Sequence, residues 1–97
     1  MSPAPPPPTV QDPDGRPVVI TAERWTHITT GHPELRPHHA AVLQTIQTPT
    51  LRRPGRRAGE VWYYREGVGP SHWLKVIVAY DAAGGRCITA FARRSQP

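Results

Sequence analysis

The run Arg24 to Leu35, RWTHITTGHPEL, places an arginine, two histidines and a glutamate within one stretch of helix and its exit. Arg24 and His27 are three residues apart, so both project from one helical face. Gly31 is expected to take the left-handed position that ends a helix, and Pro33 forbids its continuation, which sets His32 at a fixed corner. Imidazole is the side chain that changes charge near neutral pH. Two of them beside a permanent cation form the set that general acid–base cleavage of a phosphodiester requires. The same residues also suit a plain capping corner, in which His32 caps helix carbonyls and His27 packs against a sheet.

The elements that must position these groups follow from pattern. Thr21 is a good N-cap, Glu23 lies in the first turn where the helix dipole favours it, and Trp25 and Ile28 make a buried stripe, so a helix is expected from Ala22 to Thr30. Val18-Val19-Ile20 reads as an edge strand or as a staple for that helix. His38 to Gln47 carries Val42, Leu43 and Ile46 at helical spacing, with Pro49 closing it. Thr50 to Gly59 holds four arginines, a proline and two glycines, a composition that predicts a short strand and then an open basic loop. Glu60–Arg65, Trp73–Tyr80 and Cys87–Ala92 read as strands, joined by turns short enough for antiparallel hairpins. Two helices followed by strands predict an α+β domain with the helices on one sheet face.

Alternation assigns the faces of Trp73–Tyr80. Leu74, Val76, Val78 and Tyr80 form the uniformly apolar set that should meet the helices, which leaves Trp73, Lys75, Ile77 and Ala79 on the open face. Lys75, the only lysine in the chain, therefore stands mid-strand as either a solvated edge charge or a phosphate contact. The three tryptophans read as core or rim residues rather than substrate platforms.

Composition bounds the rest. The chain has 97 residues, and its first sixteen, MSPAPPPPTVQDPDGR, hold six of the thirteen prolines, so residues 1–16 are expected to be a disordered, polyproline-like segment and 17–97 the domain. Eleven arginines and one lysine face seven acids. Arginine pairs bidentately with phosphate and stacks on bases, so this bias fits a polyanionic partner, although GC-rich coding raises the same residues. The longest apolar run, Val76 to Tyr80, is too short to span a bilayer, and no secretory signal opens the chain. A cytoplasmic protein without a membrane partner is expected. Cys87 is alone, and the adjacent His38 and His39 point in different directions on a helix, so neither a disulfide nor a metal site is expected.

The blocks T-A-E-R-W-T-H-I, G-H-P-E-L, V-W-Y-Y-R, W-L-K-V-I-V and C-I-T-A-F, in that order over residues 18 to 92, resemble the phage-associated barnase, EndoU, colicin and RelE-like (BECR-fold) nucleases. The resemblance implies a barnase-like fold of two N-terminal helices packed on a four-stranded antiparallel sheet. It also implies a metal-independent ribonuclease of toxin or effector type that needs no cofactor. In such chemistry the ribose 2′-OH attacks the adjacent phosphorus and leaves a 2′,3′-cyclic phosphate. Carried over residue by residue, it points to Arg24, His27, His32, Lys75 and Thr89. His27 and His32 are the acid–base pair, in unassigned order, Arg24 and Lys75 are phosphate clamps, and Thr89 is a hydrogen-bond donor. Tyr63 and Tyr64 are candidates for base stacking or proton donation, and since consecutive strand residues face opposite ways only one, taken as Tyr64, can join the catalytic set. Arg52, Arg53, Arg56, Arg57 and Arg65 are the expected nucleic-acid contacts. RNA is the expected partner, with an acidic antitoxin or immunity protein as a second. A non-catalytic basic RNA-binding module and an interaction domain for such an acidic partner are the alternatives.

Overall fold

A computed structural model describes residues 9–95 and Pro97. In chain order the elements are β1 (Thr9–Gln11), β2 (Pro17–Val19), α1 (Ala22–Gly31), a 3-10 turn (Pro33–His38), α2 (His39–Gln47), β3 (Leu51–Pro54), β4 (Glu60–Glu66), β5 (Trp73–Asp81) and β6 (Gly84–Arg93). The strands form one sheet in the order β1-β2-β6-β5-β4-β3. All neighbours are antiparallel except β2 and β6, which run parallel.

This corrects the expected four-stranded antiparallel, barnase-like sheet behind two N-terminal helices. The protein is a small α+β fold with a six-stranded mixed sheet, and two strands precede the helices. T-V-Q and P-V-V are three residues each, too short to alternate visibly, and tertiary contacts make them strands. The correction extends to the segment placed outside the domain. Residues 9–16 form β1 and the hairpin turn to β2, while residues 1–8 of the proline-rich stretch lie outside the described residues.

Asp12 organises that turn. It is 5% exposed, and its Oδ1 accepts the backbone N–H groups of Asp14 and Arg16, each at 2.9 Å. Its Oδ2 accepts the Tyr80 hydroxyl at 2.8 Å, and Tyr80 shares a further hydrogen bond with the Tyr63 hydroxyl at 2.5 Å. Burial, then these hydrogen bonds, hold the Tyr80 phenol well above its ordinary range. The turn is also clipped to β3 by Arg52, whose guanidinium donates to both carboxylate oxygens of Asp14 at 2.8 and 3.1 Å. Gly84 opens β6 with φ +136, where a Cβ would stand 2.6 Å from the Pro17 carbonyl oxygen, so only glycine lets β6 begin beside β2.

α1 begins as expected, with Thr21 Oγ1 accepting the Arg24 N–H at 3.0 Å. Its end differs. Gly31 stays within the helix without a positive φ, and His32 is the C-cap residue, neither helical nor extended at φ −134 and ψ 72. Pro33 alone therefore stops the helix. The core lies between the helices and one sheet face, where Leu74, Val76 and Val78 meet Ile28, Leu35, Val42 and Ile46. Trp73 and Lys75 lie on the face the helices do not cover, as alternation requires.

Tyr80→Phe should cost about 1 to 3 kcal/mol, since Asp12 loses its side-chain donor inside the fold; chemical denaturation measures it. Asp14→Asn tests the clip. Arg52 holds the Asp14 carboxyl below its ordinary value of 3.8, so the clip's stabilisation is present above that value and is lost as pH falls through the lower folded one. The mutant should melt below wild type at pH 7, and the gap should close under strongly acidic conditions.

Candidate functional site

Strand register assembles the open face. Tyr64, Lys75 and Phe91 stand side by side in one row across β4, β5 and β6, and Trp62, Ile77 and Thr89 form the next. Lys75 is 8% exposed, although it carries a charge. Its Nζ lies 3.6 Å from the Trp62 ring centroid, 5.4 Å from that of Tyr64 and 5.5 Å from that of Phe91. Among the described residues no carboxylate pairs with it and no acceptor takes its protons. The rings shield the stem and flank the ammonium, each contributing roughly 0.5 to 2 kcal/mol. Lys75 Nζ is not among the fully buried atoms, so the charge reaches solvent at the open face with its protons uncommitted to any protein acceptor. β5 is central, between β4 and β6, so the solvated edge charge is excluded.

A bulge in β6 aims the next groups. Ile77 pairs with Thr89 but Val78 pairs with Cys87, so Ile88 is an extra residue on β6. Cys87 consequently faces the core while Thr89, two residues on, turns to the open face. The Ile88 carbonyl accepts the Arg24 Nη1–H at 3.4 Å. On β6, β2 reaches only Gly85 and Arg86, which leaves the later edge of that strand to α1. His32, at the helix exit, stacks on Phe91 with centroids 5.8 Å apart and planes at 29°. The helical rise from Arg24 to His32 is about 12 Å and the strand rise from Ile88 to Phe91 about 10 Å, so helix and strand keep step. His32 Nδ1 is 3.6 Å from Glu34 Oε1. His27 is exposed between them, lining a polar cleft of about 250 Å³ with Thr21, Glu23 and Arg24.

The six residues expected to act chemically therefore divide. Lys75, Tyr64 and His32 are linked through Phe91, with Thr89 one row away; Arg24 sits at the bulge, and His27 flanks it on the helix surface. Tyr64, 2% exposed, is a wall of the Lys75 cage rather than a stacking platform. Tyr63 belongs to the core.

The arginines divide further. Of the four arginines between Thr50 and Gly59, Arg52 and Arg53 lie on β3, and only Arg56 and Arg57 occupy the exposed turn before β4. Arg52 is held by Asp14, and Arg53, on the open face opposite Trp62, donates to the Pro97 carbonyl oxygen at 3.2 Å. Arg65 donates to the carbonyl of Thr48 and, at 2.8 Å, to its hydroxyl, so it closes the end of α2. Glu60, Trp62, Phe91 and Arg93 share the open face and were absent from the expected set. Each lies an even number of residues from Tyr64 or Thr89, and that period-two relation was the available signal.

Cys87 is no nucleophile, since burial pushes its thiol up to about 12 against the opposing pull of Arg24. Among the described residues no group of three His, Cys, Asp or Glu side chains is placed to hold a metal ion, and no helix is long and apolar enough to cross a membrane. Comparison with known proteins returned no match to a family model, a curated protein or a solved structure.

Lys75→Met separates an anion site from a structural one. Methionine has similar length and packs well against aromatic rings, so the variant should melt at or above the wild-type temperature by calorimetry. Added inorganic phosphate should raise the melting temperature of wild type only. A clear fall in stability would make the ammonium a structural element.

Proposed function

We propose that the chain is a metal-independent endoribonuclease of toxin or effector type, acting in the cytoplasm on RNA laid over the open sheet face. The observation that carries this reading is Lys75, a residue 8% exposed whose ammonium has no anion partner among the described residues, on a face that His32 reaches through Phe91 and beside the strand that Arg24 contacts. A phosphate is the anion that such a set suits.

In this reading one of His27 and His32 takes the proton of the ribose 2′-OH. The freed oxygen attacks the adjacent phosphorus, the bond to the 5′-oxygen breaks, and the other imidazole protonates that leaving oxygen. A 2′,3′-cyclic phosphate and a 5′-hydroxyl result. Lys75 and Arg24 stabilise the charge that develops on the non-bridging oxygens, and Thr89 donates a hydrogen bond to one of them. The sequence blocks that resemble the phage-associated nucleases suggest the same chemistry, whereas the fold that the resemblance implied is not the one observed. An acidic antitoxin or immunity protein is the inhibitor this reading calls for. RNA binding without turnover is the second reading. It is favoured by His27, which has no partner to orient its ring among the described residues.

Purified protein should cleave RNA in EDTA and leave cyclic phosphate ends. His27→Ala and His32→Ala should each slow cleavage about 10² to 10⁴-fold with little change in melting temperature. Intact RNA at high protein concentration from pH 5 to 8 would reject catalysis and leave the binding module. Salt dependence maps the remaining contacts. Arg56→Ala with Arg57→Ala should flatten the slope of log K against log salt by about one for each lost phosphate contact, whereas Arg52→Ala should leave it nearly unchanged because Asp14 already neutralises that charge.

A further inference from the structure

Glu60 lies on the open face of β4, two residues before Trp62. Its Oε1 accepts the Trp62 indole N–H at 2.7 Å. The indole ring stands 3.6 Å from Lys75 Nζ. Although the chain is rich in arginine, Glu60 forms no ion pair among the described residues, and its carboxylate is used on a neutral donor. The loop is shaped around it. Gly55 donates its N–H to the Glu60 carbonyl at 2.7 Å, and a Cβ on Gly55 would stand 2.5 Å from Glu60 Cγ and Oε1.

Attraction between an ammonium and an indole depends on the ammonium lying over the ring face, so whatever fixes the ring's rotation fixes the cation. A carboxylate on the indole N–H does so, and it draws the N–H dipole in the sense that enriches the ring face. We propose that Glu60 is a positioning residue. Acting through Trp62, it holds the Lys75 ammonium at the open face where an RNA phosphate is met. This rests on the reading of Lys75 as a phosphate-binding cation.

The sign of the effect separates positioning from simple charge. As a bare negative charge near an anion site, Glu60 would weaken phosphate binding, and Glu60→Gln would tighten it. As the acceptor that orients Trp62, Glu60 is replaceable by glutamine, whose amide oxygen accepts the same N–H, but not by alanine.

Because Lys75 is the only lysine, lysine-labelled protein gives one side-chain NMR signal, shifted by the Trp62 ring current. Glu60→Gln should leave that signal in place. Glu60→Ala should move it toward the free-lysine position, weaken inorganic phosphate binding, and lower kcat on RNA about tenfold with KM little changed. In a Trp62→Leu background Glu60→Ala should add nothing. Should Glu60→Ala fail to fold, Gly55→Ala displaces the same carboxylate and should move the same signal. A stationary Lys75 signal in both variants, tighter phosphate binding by Glu60→Gln, or an undiminished Glu60→Ala effect without Trp62 would each overturn the proposal. If wild type leaves RNA intact, the nuclease reading fails by itself, and the Lys75 signal with its phosphate titration still decides the positioning role.

Discussion

β5 is buried on both faces, and the arrangement of the molecule follows from that constraint. On one side Leu74, Val76 and Val78 have no exposed surface and meet the helices. On the other Trp73 and Lys75 are buried as well, on a face without helices. An apolar strand buried twice would be ordinary in a sheet covered on both sides. Here a charge lies in the middle of the second face, and only side chains of the neighbouring strands can shelter it. Trp62 and Tyr64 on β4 and Phe91 on β6 are those side chains, so three strands must keep a single register for the cage to exist. A slip of β5 by one residue would carry Lys75 into the core and away from every ring of the cage.

The same constraint explains the position of α1. β6 needs a partner along its later edge, because β2 is only three residues long and runs out at Arg86. Helix α1 follows β2 directly and covers that edge, with Arg24 satisfying the carbonyl that the bulge at Ile88 frees from the ladder. Edge protection and site assembly are thus one event. The helix that closes the sheet also brings His32 against Phe91 on the open face, while His27 stays on the exposed surface of the helix.

Local signals made part of this readable. The Thr21 cap, the helical spacing of Val42 and Ile46 and the period-two alternation of Leu74, Val76 and Val78 each report directly on an element, and the structure has them where those signals point. What was not readable is what distance in sequence decides. β1 is a strand because Asp12 reaches Tyr80 across 68 residues, and nothing within T-V-Q announces it. The bulge at Ile88 has no glycine to mark it, and alternation alone would have put Thr89 on the same face as Cys87. Gly31 shows the opposite error. A glycine before a proline looks like a left-handed terminus, yet the helix simply includes it and stops where the proline ring must.

Arginine content was the broadest argument for a polyanionic partner, but several of the guanidiniums have partners within the fold. Arg16 donates to the Asp81 carbonyl and covers the Tyr80 ring, Arg24 donates to Ile88, Arg52 grips Asp14, Arg65 closes α2 and Arg86 faces Asp81. These five guanidiniums serve backbone carbonyls and carboxylates at element ends, a task for which a planar fork of donors is better suited than a point charge. Much of the arginine excess is therefore architectural. Lysine appears once, where the surroundings are three aromatic rings and no fixed acceptor. There the guanidinium's fixed donor directions bring no advantage, and a compact ammonium on a flexible stem can turn its protons to whichever oxygens a ligand presents. In the proposed reading, net charge draws a polyanion toward the protein, and Lys75 adds a cation whose protons are free to turn to the oxygens of a phosphate.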